Sequence, residues 1–323
     1  MPKVIRIERH GGPEVLQWVD VPIGAPGPGE ARVRQTAVGL NFVDIYQRSG
    51  LYPGTLPLIL GGEGAGIVES VGPGVTDVRS GDRVVYMGAN GAYAEERLVP
   101  VDRLVKLPDG IDDRTAAASF LKGTTVQYLL HRTFKVAPGH TILLHAAAGG
   151  VGLIAGQWAK ALGATVIGAV GSDEKREIAM KNGCDHVINY RSEDWVARVR
   201  ELTAGAGVDV VYDSVGKDTF PGSLDCLKPL GMFVSFGNSS GLVPPLEMRT
   251  LQQKGSLFAT CPTGVHYLAR RADLVAAANA LFAVLTDGTV KVEIGQTFAL
   301  KDAAEAHRAL ESRRTVGATI LLP

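Results

Sequence analysis

TILLHAAAGGVG, Thr141 to Gly152, is the stretch on which the fold turns. An apolar run rich in β-branched and aliphatic residues ends in small residues and three glycines, which predicts a buried strand, a tight turn and the first turn of a helix. Downstream, Leu153, Ile154, Trp158, Ala161 and Leu162 recur at helical spacing and make one buried stripe, with Gln157 and Lys160 facing outward. A helix that opens on glycines presents bare backbone N–H groups and the positive end of its dipole. Ala147, Gly149 and Gly152 stand in the dinucleotide-binding frame GxGxxG, with alanine at the first place. Alone, this frame is a weak signal that an ordinary strand-to-helix turn also satisfies. Thr141 to Ala159 carries no formal charge and approaches the length of a membrane span. His145, Gln157 and the glycines break that run into the short strand and helix that a covered parallel sheet requires.

The 323 residues suffice for two domains, and a hydrophobic content of 46% gives each its own core. Lys plus Arg and Asp plus Glu both total 33, so the formal net charge is zero, which argues against nucleic acid as a main partner. The beginning, MPKVIRIERH, lacks the continuous apolar core of a signal peptide, and a cytoplasmic protein is expected. Cys184, Cys226 and Cys261 are far apart, without a CxxC pair or zinc-like spacing. They are expected to be reduced, buried and inert, with no metal bound.

Outward from the central stretch, the first 110 residues read as short, half-buried antiparallel strands. Lys3 to Val21 and Ala31 to Gly39 alternate apolar with polar residues, and GIVESVG and GDRVVYM follow. Asn41 to Ser49 is expected to form a short helix, and GLYPGTLPLILGGEGAG an irregular loop. After Pro108 a helical stripe, Ala118, Leu121, Thr125, Tyr128 and Leu129, carries the chain into the second domain. From His140 onward six strand-like segments alternate with helices, which makes a doubly wound parallel sheet the default. A long apolar helix from ADLVAAANALFAVLTDG then leads to a β-rich ending that rejoins the first unit. The fold class is therefore α/β, with a β-rich domain over 1–124 and 263–323 and a six-stranded nucleotide-binding domain over 125–262.

The second strand of such a sheet ends beside the adenine ribose, where a carboxylate favours NAD. Here the strand ATVIGAV ends in Gly171 and Ser172, while Asp173 and Glu174 are expected to point away in the first helical turn. Lys175 and Arg176 follow. A small donor plus a cation suits the 2′-phosphate of NADPH. One charged hydrogen bond is worth roughly 1.5–3 kcal/mol, so a preference of about 10- to 100-fold over NADH is expected. A rival from another class is the GxSxG of Gly237, Asn238, Ser239, Ser240 and Gly241, with Asp302 and His307 following in hydrolase order. A nucleophile elbow must open a helix, and this one runs into LVPP. The same loop, after a fifth parallel strand, suits contact with a nicotinamide. His145 is either a base or a satisfied core histidine, and its buried strand favours the second.

HAAAGGVGLIAGQWAKALGA at 145–164, VINY at 187–190, VVYDSVG at 210–216, VSFGNSSG at 234–241 and NFVDIYQRSGLYP at 41–53 together give a resemblance that spans essentially the whole chain. The sequence is similar to the NADPH:quinone oxidoreductases, the zinc-free, ζ-crystallin-like branch of the medium-chain dehydrogenase/reductase superfamily. The resemblance implies a GroES-like catalytic domain plus a Rossmann domain. Zinc alcohol dehydrogenases of that superfamily carry GHExxG; here the stretch is Gly61, Gly62, Glu63, Gly64, Ala65, Gly66, and the metal-binding histidine is missing.

By motif, the resemblance assigns Asn41, Phe42, Asp44 and Tyr46, with Tyr52, to the cleft where nicotinamide and quinone meet. Asn41, Asp44, Tyr46 and Tyr52 are the catalytic candidates, the tyrosines donating hydrogen bonds to the quinone oxygen. Thr125 and Tyr128 approach the nicotinamide half. Gly150, Val151 and Gly152 cradle the pyrophosphate, Gly171, Ser172 and Lys175 take the 2′-phosphate, and Tyr190 lies by the adenosine. Phe236, Gly237, Asn238, Ser239 and Ser240 close over the nicotinamide, and Arg313 reaches the cofactor from the tail. The expected activity is zinc-independent reduction of quinones or similar conjugated carbonyls by NADPH, as hydride or as electrons. The alternatives are an NADPH-dependent enoyl-thioester or enone reductase and a crystallin-like NADPH-binding structural or RNA-binding protein. GSLFAT as an open sheet edge suggests a homodimer.

Overall fold

A computed structural model of the chain describes residues 1–88 and 90–323. By its internal packing the chain forms two units: Met1–Thr124 with Leu268–Thr286 and Val292–Pro323, and Thr125–Tyr267 with Asp287–Lys291.

The second unit is built on six parallel strands in the spatial order His186–Asn189, Thr165–Val170, Thr141–His145, Val208–Asp213, Leu227–Ser235, Phe258–Thr260. Sequence order reverses between Thr141–His145 and Val208–Asp213, the switch point where such sheets bind ligands beyond the carboxyl ends of their strands. All six residues of Val208–Asp213 are buried, as expected for strands covered on both faces. Leu143, Ile167, Ile188, Val211 and Phe233 from the sheet share one core with Val199, Leu224 and Leu251 from the helices.

In the first unit, seven strands form one sheet, ordered Ile294–Ala299, Ala318–Leu322, Glu30–Leu40, Glu63–Val71, Arg83–Met87, Leu104–Lys106, with Glu96–Pro100 also paired to Glu30–Leu40. The carboxyl-terminal strand lies antiparallel to Glu30–Leu40, Thr319 opposite Leu40. Lys3–Ile7, Gln17–Asp20 and Leu58–Ile59 make a smaller antiparallel sheet. The stretch expected to be an irregular loop is one only as far as Gly62, apart from Leu58–Ile59; Glu63–Val71 is a strand. Its glycines are the reason. A Cβ on Gly64 would lie 2.5 Å from Gln35 Oε1, and one on Gly66 2.2 Å from the Arg34 carbonyl, so bare backbone is pressed against the neighbouring strand.

Cys184 and Cys226 are buried, and burial pushes both thiols up to about 12. Cys261 is exposed, contrary to expectation, because it follows the short edge strand Phe258–Thr260. Among the described residues no helix is long and apolar enough to cross a membrane.

Candidate active site

After the strand Thr141–His145, Ala146 takes a left-handed conformation with φ of 53° and its carbonyl accepts from Gly149 N at 2.9 Å. Gly149 then caps the helix Gly150–Ala161. A Cβ on Gly152 would stand 2.4 Å from the Ala146 carbonyl oxygen, so only glycine lets the helix begin this close to the turn. Alanine at the first place of the frame is tolerated because the adjacent strand has Gly168 opposite: a Cβ there would meet the Ala147 methyl at 2.8 Å. The first-turn N–H groups of Gly150, Val151 and Gly152 have no acceptor within the helix and form the positive end of its dipole. This cradle fits a pyrophosphate.

Next door, Thr165–Val170 ends in Gly171, and Ser172 caps the helix Asp173–Lys181, its Oγ accepting from Lys175 N at 3.4 Å. A Cβ on Gly171 would lie 2.6 Å from the Tyr190 hydroxyl, so the glycine makes room for that ring. Glu174 is exposed in the first turn of that helix. The Ser172 hydroxyl donates to it and holds its carboxyl below the ordinary range. Asp173 accepts from Asn189 Nδ2 at 3.0 Å and pairs with Arg176. Sequence reasoning missed Arg191. Burial, and then the charge of Arg191, lower the Lys175 ammonium pKa, and a Cβ on Gly171 would stand 3.6 Å from Arg191 Nε. Its signal was adjacency to Tyr190, at the end of the third strand.

The fifth strand, Leu227–Ser235, runs into Phe236–Ser240, which is loop; the next helix starts only at Met248. No helix opens on Ser239, so the GxSxG pattern is not a nucleophile elbow. His307 of the same rival reading is enclosed and engaged by Tyr93 and Arg48. The turn, Gly171 to Lys175 and the 236–240 loop all lie at the carboxyl edge of the one sheet. Thr125 and Tyr128 belong to the helix Asp113–Tyr128. Tyr128 is hydrogen-bonded by Thr125, has its hydroxyl pushed up to about 12 by burial, and stacks on Tyr267 at 4.6 Å between ring centres. The Tyr267 carbonyl accepts from Arg132 Nη1 at 2.7 Å.

In the first unit, Asn41 caps the helix Phe42–Ser49 and donates through Nδ2 to Glu63 Oε2 at 2.9 Å. Glu63 is fully enclosed, accepts from Leu121 N at 2.6 Å and pairs with the buried Lys122 ammonium at 3.2 Å. A buried ion pair contributes little net stability but resists losing either partner, so it holds the Asn41 amide in place. Phe42, Tyr46 and Tyr52 form an aromatic group, with ring centres 6.1 Å and 5.1 Å apart along the series. Tyr46 is 8% and Tyr52 36% exposed. Asp44 lies behind them with no exposed surface, accepting from Asn41 N at 2.8 Å and from the Tyr93 hydroxyl at 3.1 Å. Arg313 is exposed, with φ of 56°, just after the helix Ala303–Glu311.

A GroES-like unit joined to a dinucleotide-binding sheet with this phosphate cradle defines a medium-chain dehydrogenase/reductase. Residues 27–109 match the family model described as alcohol dehydrogenase GroES-like domain, and 150–277 that described as zinc-binding dehydrogenase. A quinone oxidoreductase of Pseudomonas aeruginosa is 53% identical, with 100% of both chains covered. The 2-haloacrylate reductase of a Burkholderia species is 47% identical, with 98% of each covered. The solved structure of Escherichia coli quinone oxidoreductase complexed with NADPH superposes with a TM-score of 0.98 at 51% identity, over 99% of this chain and 100% of that one. The chain belongs to the quinone oxidoreductase family. The zinc in the second family description finds no ligand set: among the described residues no three His, Cys, Asp or Glu side chains gather as a metal site, and Glu63 is taken by Lys122, Leu121 and Asn41.

Proposed function

We propose that this chain reduces quinones and related conjugated carbonyl compounds with NADPH. The observation that carries the reading is Arg191 brought against Gly171, with Lys175 in the helix that Ser172 caps, two cations at the sheet edge that also bears the pyrophosphate cradle. NADPH supplies the hydride. Gly150, Val151 and Gly152 hold its pyrophosphate, Lys175 and Arg191 its 2′-phosphate, with the Ser172 hydroxyl turning to it from Glu174, and Tyr190 its adenosine. Phe236 to Ser240, with Thr125 and Tyr128, take the nicotinamide half, and Arg313 contributes from the tail. Asn41, Phe42, Tyr46 and Tyr52 bind the acceptor, the two tyrosine hydroxyls donating to its oxygen as negative charge builds. Asp44 positions Asn41 from behind. Solvent supplies the proton.

A second reading, reduction of enones or 2-haloacrylates at the same site, is favoured by the Burkholderia relative. NADPH oxidation is followed with benzoquinone, phenanthrenequinone, 2-chloroacrylate, a 2-enoyl thioester and no acceptor. Turnover with the quinones is expected. Turnover with acrylate or thioester alone transfers the function to the second reading, and binding of NADPH without any turnover makes the chain a cofactor-binding protein. The protein is a homodimer that pairs its Phe258–Thr260 edges, a reading supported by the exposure of Phe258.

A further inference from the structure

Behind the cofactor edge of the six-stranded sheet lies a buried polar cluster that none of these roles uses. His145 ends the first strand, Asp213 ends the fourth, and Thr219 and Ser223 belong to the start and body of the helix Phe220–Asp225. All four are buried, Asp213 and Ser223 completely. The Asp213 carboxylate accepts four hydrogen bonds. Oδ1 takes Val215 N at 2.8 Å and Gly216 N at 3.0 Å; Oδ2 takes Thr219 Oγ1 at 2.7 Å and Ser223 Oγ at 2.8 Å. With the Ser223 proton given to Asp213, its oxygen can only accept from His145 Nε2, 3.0 Å away. That network assigns the Nε2–H tautomer, and the donor order His145, Ser223, Asp213 is the reverse of nucleophile activation, in which the histidine accepts from the hydroxyl.

What the carboxylate shapes is a loop. By gathering the Val215 and Gly216 N–H groups it folds Ser214–Asp218 so that they dock on 236–241. Phe236 N donates to the Asp213 carbonyl at 2.8 Å, Ser240 N to Val215 O at 2.8 Å and Lys217 N to Gly241 O at 3.1 Å. Ser240 Oγ completes the seam, accepting from Asp218 N at 3.0 Å and donating to Val215 O at 2.8 Å. The fit is close: Gly216 has φ of 90°, and a Cβ there would lie 2.4 Å from Gly241 O.

We propose that Asp213 is the positioning residue for the 236–241 loop, and that His145, through Ser223, ties this loop to the pyrophosphate turn that begins at the next residue, Ala146. One cluster then sets both cofactor-contacting loops before the cofactor arrives. The inference rests on the assignment of 236–240 to the nicotinamide half. Only an ionised carboxylate accepts four bonds in this arrangement; an amide at 213 has one acceptor oxygen and turns an NH2 group toward two donors.

The test is steady-state kinetics of the full chain with Asp213→Asn, Thr219→Val, Thr219→Ser and, as reference, Asn238→Ala. Thr219→Val is expected to raise KM for NADPH about tenfold, the loss of one charge-assisted hydrogen bond, and Asp213→Asn more. KM for the quinone stays within about twofold, and Thr219→Ser restores the parent. A merely structural role lowers the melting temperature without splitting the two constants. If Asp213→Asn does not fold, the two Thr219 variants decide. A parental NADPH KM in Thr219→Val, or equal shifts in both constants, overturns the inference. With Asn238→Ala raising that KM, the loop assignment survives such a result; with Asn238→Ala also parental, the loop assignment falls too.

Discussion

Arg191 and Lys175 are sixteen positions apart in the chain, one just after the strand His186–Asn189 and one in the helix Asp173–Lys181, and the charge of Arg191 reaches Lys175. Lys175 was legible because the strand before it runs into Gly171-Ser172 where a carboxylate would choose NAD, with Lys175 three positions further on. Arg191 was not, because its approach to Gly171 depends on parallel registry between Thr165–Val170 and His186–Asn189. Arg191→Ala is expected to raise the NADPH dissociation constant by about tenfold and leave that for NADH unchanged. Lys175→Glu should invert the preference, since a carboxylate would then face the phosphate. Fluorescence titration with both nucleotides measures this, and equal affinities in the parent protein would sink the 2′-phosphate assignment. His145 was legible as a core histidine from its place on an all-apolar strand, but its partner Ser223 lies on a helix far along the chain.

The helix Phe42–Ser49 shows the same limit for a whole element. Its place was readable, since a short helix was expected from Asn41 to Ser49, and Asn41 with Asp44 caps it. The family motif alone gave Asp44 a catalytic place, whereas its side chain turns toward Tyr93 and into a buried relay. Arg48 donates to His307 Nδ1 at 3.1 Å and pairs with Glu311; His307 Nε2 stands 3.0 Å from the Tyr93 hydroxyl, which donates to Asp44. Nothing in the chain's pattern announces that residues 44, 93 and 307 meet. Burial raises the Asp44 carboxyl from 3.8 to about 7, against the opposing pull of its hydrogen bonds. Burial first, and Arg48 second, lower His307 from 6.5 to about 3. The two titrations act in opposite directions. Asp44 keeps its proton better folded than unfolded, so its contribution is complete below 3.8 and is lost as pH rises through about 7. His307 resists protonation when folded, so its contribution is complete above 6.5 and is lost as pH falls toward 3. Melting temperatures across this range are expected to lose the first slope in Asp44→Asn and the second in His307→Gln. Each slope corresponds to roughly 4–5 kcal/mol. Slopes identical to the parent in both variants would show that other groups govern the pH response.

At the scale of the whole molecule, the alternating strands and helices after His140 were the most legible part, because strands buried on both faces read as unbroken apolar runs. The first unit was harder: glycines that permit close strand contact at 64 and 66 look in sequence like loop residues. Phe258–Thr260 pairs with Leu227–Ser235 on one side and with no other strand among the described residues. Phe258, 56% exposed there, is the position to charge: Phe258→Asp is expected to convert a dimer to a monomer in light scattering, and a monomeric parent at about 10 μM would end the edge-pairing proposal. A different consequence follows from Tyr128 and Tyr267, the stacked rings near the two ends of the central segment, with Arg132 Nη1 bonded to the Tyr267 carbonyl. An inserted segment whose entrance and exit are stapled together is, for its host, a short connector. Once it has folded, strands on either side of it in sequence, Glu30–Leu40 and Ala318–Leu322, close a loop about half as long, a saving of about 0.6 kcal/mol in closure entropy. The nucleotide-binding unit thereby shortens the loop that the unit enclosing it in sequence has to close.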